Sequence, residues 1–222
     1  MANNCYILSG DGRTAVVIDP ATEYGKIGAA LDAVNLTAKY VLLTHGHFDH
    51  HGAARALQEM GAEIYLNKND WYKIKDGLGR RLSEKIFASG HDSKTFTPDH
   101  DLTGGEVLDF AGLKIEVVGT PGHTSGGVCF FIGGFIFDDN CRFGDTLRIE
   151  LPENIPVLFS GDTLFHTDVG RTDLTDGDFT ALKRSVLEKL YTLPPETIVW
   201  PGHEEETTIG EERENNLIIR IE

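Results

Sequence analysis

The chain has 222 residues, of which 40% are hydrophobic and 25% charged, and 20 basic against 35 acidic side chains give a formal net charge of −15. That length buries a substantial core without disulfides, and the negative balance opposes phosphate backbones, so nucleic acid is not expected as a partner. Nine histidines exceed what packing alone needs.

The first residues lack a charged region followed by an apolar one, and the longest apolar stretch, 128–137, is about half a membrane span of ~20 residues. Cys5, Cys129 and Cys141 are odd in number and lack CxxC spacing. A single cytoplasmic domain over 1–222, with no membrane contact, is expected.

Apolar, β-branched runs closing on turn residues predict buried strands at 15–18 (AVVI, before Asp19-Pro20), 40–43 (before Thr44-His45-Gly46) and 64–66 (before Asn67). Between them, 24–34 and 52–60 carry apolar residues at helical spacing, the second stopping at Gly61. The stretch 68–87 reads as helical and charged, and 91–102 as a polar loop. Closely spaced strands follow at 106–110, 113–118, 127–132, 135–137, 146–151 and 157–159, an antiparallel pattern. A helix at 178–191, a strand at 197–200 and a terminal helix from about Ile209 complete the chain. Strands and helices mixed in both halves predict two sheets packed together with helices outside.

The segment THGHFDHHG (44–52) stands where a buried strand gives way to a helix. In an extended loop His45 and His47 point the same way, and Asp49 and His50 then fall in the first turn of the helix. Three more potential ligands follow strand ends and Gly-bearing turns: His123 in TPGHT (120–124), Asp162 in FSGDT (159–163) and His203 in WPGH (200–203). Seven such ligands are too many for one catalytic zinc, which takes three protein ligands and a water. Two divalent metal ions fit the count, one held by His45, His47 and His123, the other by Asp49, His50 and His203, with Asp162 bridging. Zinc is expected first, and imidazole and carboxylate also accept iron or manganese. Two such ions deprotonate a shared water and polarise the oxygen it attacks, which makes a metal-dependent hydrolase without a nucleophilic Ser or Cys.

This ordered set of motifs resembles the metallo-β-lactamase fold superfamily. The resemblance implies a four-layer αββα sandwich, an α+β fold of two mixed β-sheets packed face to face with the metals at one edge between them. Asn4-Cys5-Tyr6-Ile7-Leu8, Val17-Ile18-Asp19-Pro20, GDTLF (161–165), GRTDL (170–174) and TTIGEER (207–213) are similar to the glyoxalase II-related hydrolases, closest to short bacterial members without the C-terminal glutathione-binding domain. That likeness implies a small-molecule thiolester of the hydroxyacylglutathione type as substrate, cleaved by a hydroxide bridging the two ions. Asp49 would orient that hydroxide while ligating, and Asp162 would bridge. A basic residue in the loop of Arg171 contacts the acidic thiol carrier in that group, although a structural pair of Arg171 with Asp173 fits these residues equally well.

Two departures from the family stand out. The chain begins four residues before Cys5, so either the family's preceding strand is expected to be missing or the start is misplaced, and 133–155 reads as an inserted β-hairpin. Of the other histidines, His51 reads as a neighbour of the ligands or solvated, His91 and His100 as surface residues, and His166 as bordering the site. Thr44, Thr124 and Thr163 are expected to hydrogen-bond ligands from outside. The alternative function is a mononuclear iron persulfide dioxygenase, whose members carry a similar GRTD element, but PGHEEETTIG (201–210) looks like the hydrolase version.

Overall fold

Residues 15–18 bury all four side chains, and alternation along the strand sends them to opposite faces. Val16 and Ile18 join one apolar cluster, Ala15 and Val17 another. The strand is therefore covered on both sides, as an AVVI run without polar alternation requires. The computed structural model describes residues 3–21, 24–74, 96–135 and 154–221.

That strand is β2 (Thr14–Ile18) of a first sheet, in which β1 (Tyr6–Leu8), β2, β3 (Thr37–Leu42), β4 (Glu63–Leu66) and β5 (His100–Asp101) lie side by side. β1 is antiparallel to β2, and the remaining neighbours are parallel. Helices α1 (Tyr24–Ala33), α2 (Ala54–Glu59) and α3 (Trp71–Ile74) belong to the same half of the chain. Ile27 and Leu31 of α1 and Leu57 of α2 cluster with Val17, Val41 and Ile64 on the outer face.

The second sheet contains β6 (Val107–Phe110), β7 (Leu113–Gly119), β8 (Val128–Phe135), β9 (Ile155–Gly161), β12 (Ile198–Pro201) and β13 (Thr207–Thr208), in the spatial order β13-β12-β9-β8-β7-β6. Only β12 and β9 pair in parallel. A small hairpin of β10 (Leu164–Phe165) and β11 (Asp168–Val169), then α4 (Phe179–Glu188), separate β9 from β12, and α5 (Ile209–Asn215) follows β13. Asp178 caps α4 by accepting the Ala181 N–H at 3.0 Å.

Leu42, Ile115, Val117, Phe130, Val157 and Phe159 fill the space between the sheets with Val16 and Ile18. Leu182, Val186 and Leu190 cover the outer face of the second sheet over Cys129, Leu158 and Val199. The result is the four-layer αββα sandwich expected from the sequence, with both sheets mixed. Truncating Phe159, almost wholly buried at its centre, to Ala costs about 3–5 kcal/mol on the scale of such core deletions.

Several expectations shift in detail. α2 begins at Ala54, so Asp49 and His50 occupy a separate turn of 3-10 helix, Phe48–His50, rather than its first turn. The cause is tertiary: the Ala53 N–H is drawn to the Pro20 carbonyl at 2.8 Å. Part of the expected polar loop is the edge strand β5, tied in where the Asp99 carboxylate accepts the Ile64 N–H at 2.8 Å. β8 extends to Phe135, opposite Ile155, so the expected insertion falls in the β8–β9 connection. Its centre, the rest of the helical region beyond Ile74, and His91 lie outside the described residues. Among the described residues, no helix is long and apolar enough to cross a membrane.

Candidate metal site

Four strand ends meet at one edge of the sandwich. β3 runs into Thr44, His45 and His47; the loop after β7 carries His123; β9 ends at Gly161 before Asp162; and β12 ends before Gly202 and His203. All seven residues expected as ligands come together there. Their donor atoms form three overlapping groups, His45/His47/His123, His45/His50/Asp162 and Asp49/His50/His203, each with its atoms within 4.8 Å of one another. His47 Nδ1 lies 3.0 Å from His123 Nε2. Asp162 spans the groups, with Oδ1 3.3 Å from His50 Nε2 and Oδ2 3.6 Å from His123 Nε2 and 3.7 Å from His203 Nε2. Asp49 Oδ2 is 3.4 Å from His203 Nε2.

Three imidazoles spend one nitrogen on a protein oxygen. His50 Nδ1 donates to the Asp19 carboxylate at 2.9 Å, and His123 Nδ1 to the Arg171 carbonyl at 2.7 Å. The Thr44 hydroxyl donates to Asp19 at 2.6 Å and accepts from His45 Nδ1 at 3.1 Å. These acceptors fix the tautomer, so His45, His50 and His123 each turn an Nε2 lone pair towards the cluster. His45 Nε2, His50 Nε2 and Asp162 Oδ1 are buried without a hydrogen-bond partner. Buried polar atoms are rarely left unsatisfied, and lone pairs converging with carboxylates are what a divalent cation satisfies. The donor set thus fits the metals the sequence calls for.

Electrostatics point the same way. Burial, reinforced by the neighbouring histidines, holds the His45 imidazole well below its ordinary pKa and brings His47 down to about 4, which keeps both neutral as metal ligands must be. Burial works against charge on His50, yet Asp162 and Asp19 hold its pKa well above the ordinary value, so without a cation Nε2 keeps a proton that a bound metal would displace. For Asp162, burial is outweighed by His50 and the carboxyl stays ionised; Asp49 is likewise held low, with His203 as the leading partner against burial.

Glycines at the strand ends make room. A Cβ on Gly202 would lie 2.5 Å from Asp162 Oδ1 and 2.6 Å from His50 Cε1. Gly161 has φ of +51° and faces Thr44, where a Cβ would lie 2.4 Å from Oγ1.

Thr44 is the only one of the three expected threonines found hydrogen-bonded directly to one of the seven residues among the described contacts. Thr124 donates to Asp70 at 2.8 Å, and Thr163 and Thr120 share a hydroxyl contact at 3.1 Å. Arg171 forms two hydrogen bonds to Asp173, at 2.7 and 2.8 Å, at the surface. His166 pairs with Glu205 at 2.9 Å, His100 with Glu63 at 3.0 Å, and His51 packs on Phe96 with ring centroids 5.3 Å apart. Sequence reasoning assigned no role to Asp19, Asp70 or the Arg171 carbonyl. Asp19, at the end of an apolar strand before Pro20, carries the one readable signal: a buried strand seldom ends in a carboxylate without partners for it.

A sequence profile described as the metallo-beta-lactamase superfamily matches residues 1–135 and 152–203. The chain is 36% identical to an uncharacterized protein of Mycobacterium leprae, over 97% of this chain and 93% of that protein. It is 34% identical to the hydroxyacylglutathione hydrolase GloC of Haemophilus influenzae, over 97% and 92%. Among solved structures, it is similar to the BLEG-1 B3 metallo-beta-lactamase, with TM-score 0.78 and 32% identity over 97% of this chain and 93% of that one. It is also similar to TTHA1623 in a di-iron-bound form, with TM-score 0.76 and 32% identity over 98% and 95%.

Proposed function

The chain belongs to the metallo-beta-lactamase superfamily, and from that premise we propose that it is a dinuclear metal-dependent hydrolase that cleaves thiolesters of the hydroxyacylglutathione type. The observation that carries this reading is the position of Asp162, whose two carboxylate oxygens lie 3.3 to 3.7 Å from donors of both ligand groups. His45, His47 and His123 would hold one cation, Asp49, His50 and His203 the other, with Asp162 shared. A bound pair of cations supplies an activated water near neutral pH and polarises the carbonyl that the water attacks.

The protein's own groups do the rest. Thr44, Asp19 and the Arg171 carbonyl hold three imidazoles in the tautomer that offers Nε2. Asp49, kept ionised, orients the attacking water by accepting its hydrogen bond. Attack at the thiolester carbon and rupture of the C–S bond give a carboxylic acid and a thiol. Because a thiolate is a good leaving group, a dedicated general acid is not required. Similarity to the Haemophilus influenzae hydrolase supports the thiolester, and the imidazole and carboxylate donors support zinc, with iron as the alternative that the di-iron-bound relative suggests. Arg171 is the proposed contact for the thiol carrier.

Metal quantification on purified protein, alongside assays with lactoyl-glutathione, a β-lactam and glutathione persulfide, tests the reading. Two cations per chain and thiolester cleavage are expected. The second reading, a mononuclear iron persulfide dioxygenase, is favoured by Gly170-Arg171-Thr172-Asp173; one iron per chain with oxygen uptake on the persulfide would establish it and overturn the hydrolase.

A further inference from the structure

We propose that Asp70 is a positioning residue for the three-histidine half of the centre, clamping the loop of His45 and His47 to that of His123. The inference rests on the reading of His45, His47 and His123 as ligands of one cation.

Asp70 ends a turn of 3-10 helix after β4 and is fully buried. Its Oδ2 accepts the Gly46 N–H and the Thr124 hydroxyl, both at 2.8 Å. Its Oδ1 accepts the Gly126 N–H at 3.1 Å and Lys73 Nζ at 2.9 Å. Gly46 separates His45 from His47, and Thr124 follows His123, so one carboxylate clamps the two loops whose imidazoles meet at 3.0 Å. The clamp is braced from outside: Lys73 also reaches Asp176 at 2.6 Å, and Asp176 accepts the Ser125 N–H and hydroxyl, both at 2.9 Å. The approach is close, since a Cβ on Gly46 would lie 2.8 Å from the Asp70 carbonyl oxygen and one on Gly126 2.7 Å from Oδ1.

None of these bonds reaches the segments that carry Asp162 or His203, and the one to Gly46 lies on the loop that continues to His50. His50 is held instead by Asp19. An isolated buried carboxylate is costly, whereas one with four donors is a rigid anchor. Asp19 reaches both halves, through His50 and through Thr44 to His45. The Asp70 bonds bear on the two loops of the three-histidine position, so loosening the clamp weakens that position most. Partners that orient metal ligands typically change metal affinity by about 10–100-fold when removed.

The test is zinc affinity by competition with a chromophoric chelator, with folding checked by circular dichroism. Thr124→Val removes one donor to Asp70 without touching a ligand, and Asp176→Asn slackens the brace from the surface side. In a His203→Ala background, which keeps the three-histidine position, both changes are expected to weaken zinc binding, Thr124→Val by about 10-fold or more. In a His47→Ala background, which keeps the other position, both changes are expected to have a smaller effect. Equal weakening in both backgrounds, or none in the first, overturns the inference. If the unsubstituted protein takes up fewer than two zinc ions, the dinuclear reading itself fails, and the inference with it.

Discussion

The Arg171 carbonyl oxygen accepts the His123 Nδ1–H at 2.7 Å, while the Arg171 guanidinium turns away to Asp173. One residue thus holds a histidine of the candidate metal site through its backbone and leaves its charged side chain at the surface. The preceding Gly170 fixes this geometry, because a Cβ there would lie 1.8 Å from the Asp162 carbonyl oxygen. Arg171→Ala is expected to leave metal content unchanged and to raise KM for lactoyl-glutathione with little change in kcat, the pattern of lost uniform binding. Gly170→Ala is expected to lower metal content and kcat together. Metal analysis and steady-state kinetics on the two variants separate the roles, and metal loss in Arg171→Ala would contradict the assignment.

Asp19→Asn isolates the charge that holds His50. Asp19 sits at φ of +46°, a region asparagine tolerates better than most residues, so the backbone need not move. The carboxylate accepts from the Thr44 N–H, the Thr44 hydroxyl and His50 Nδ1, and an amide cannot match all three. A loss of about 10–100-fold in metal affinity or activity is expected, with the far-ultraviolet dichroism retained. Full activity in this variant would remove Asp19 from the site's support.

No thiol among the described residues serves the chemistry. Burial pushes the Cys5 thiol up to about 12 and the Cys129 thiol up to about 11, so neither forms thiolate near pH 8. Iodoacetamide on the native protein is expected to leave both unmodified and activity intact, while unfolding in denaturant exposes them. Peptide mapping by mass spectrometry reads this directly, and rapid native alkylation of Cys129 would refute it.

The candidate ligands were legible in the sequence because they follow strand ends, and strand ends are set by local pattern: 40–43 is an apolar run stopped by Thr44-His45-Gly46, and 157–159 one stopped by Ser160-Gly161. Supports for the ligands were not legible. Asp70 acquires its meaning only when Thr124, fifty-four positions away, is folded against it. The Arg171 carbonyl has no signature at all, since every residue has one. The two-residue strand β5 is likewise defined by its neighbour β4 rather than by its own composition. The displaced start of α2 has the same origin, a contact with Pro20 that no local propensity encodes.

Outside the metal centre, Asp176 and Lys73 give the fold a titratable brace. Burial alone would raise the Asp176 carboxyl, but the Lys73 ammonium and the Ser125 donors bring it down from 3.8 to about 2. A folded value below the unfolded one means that the stabilisation is present above pH 3.8 and disappears as pH falls through about 2. Burial works against the Lys73 ammonium, but Asp176 and Asp70 raise it above its 10.5, so its contribution holds below pH 10.5 and is lost as pH climbs past the folded value. The melting temperature of the chain should therefore exceed that of Asp176→Asn by a constant margin from pH 5 to pH 8, in metal-free protein. That margin should shrink between about pH 4 and pH 2, where the unsubstituted carboxylate takes up its proton. A margin that persists at pH 2 would show that Asp176 stabilises the fold without its charge, and the brace would then be a matter of packing alone.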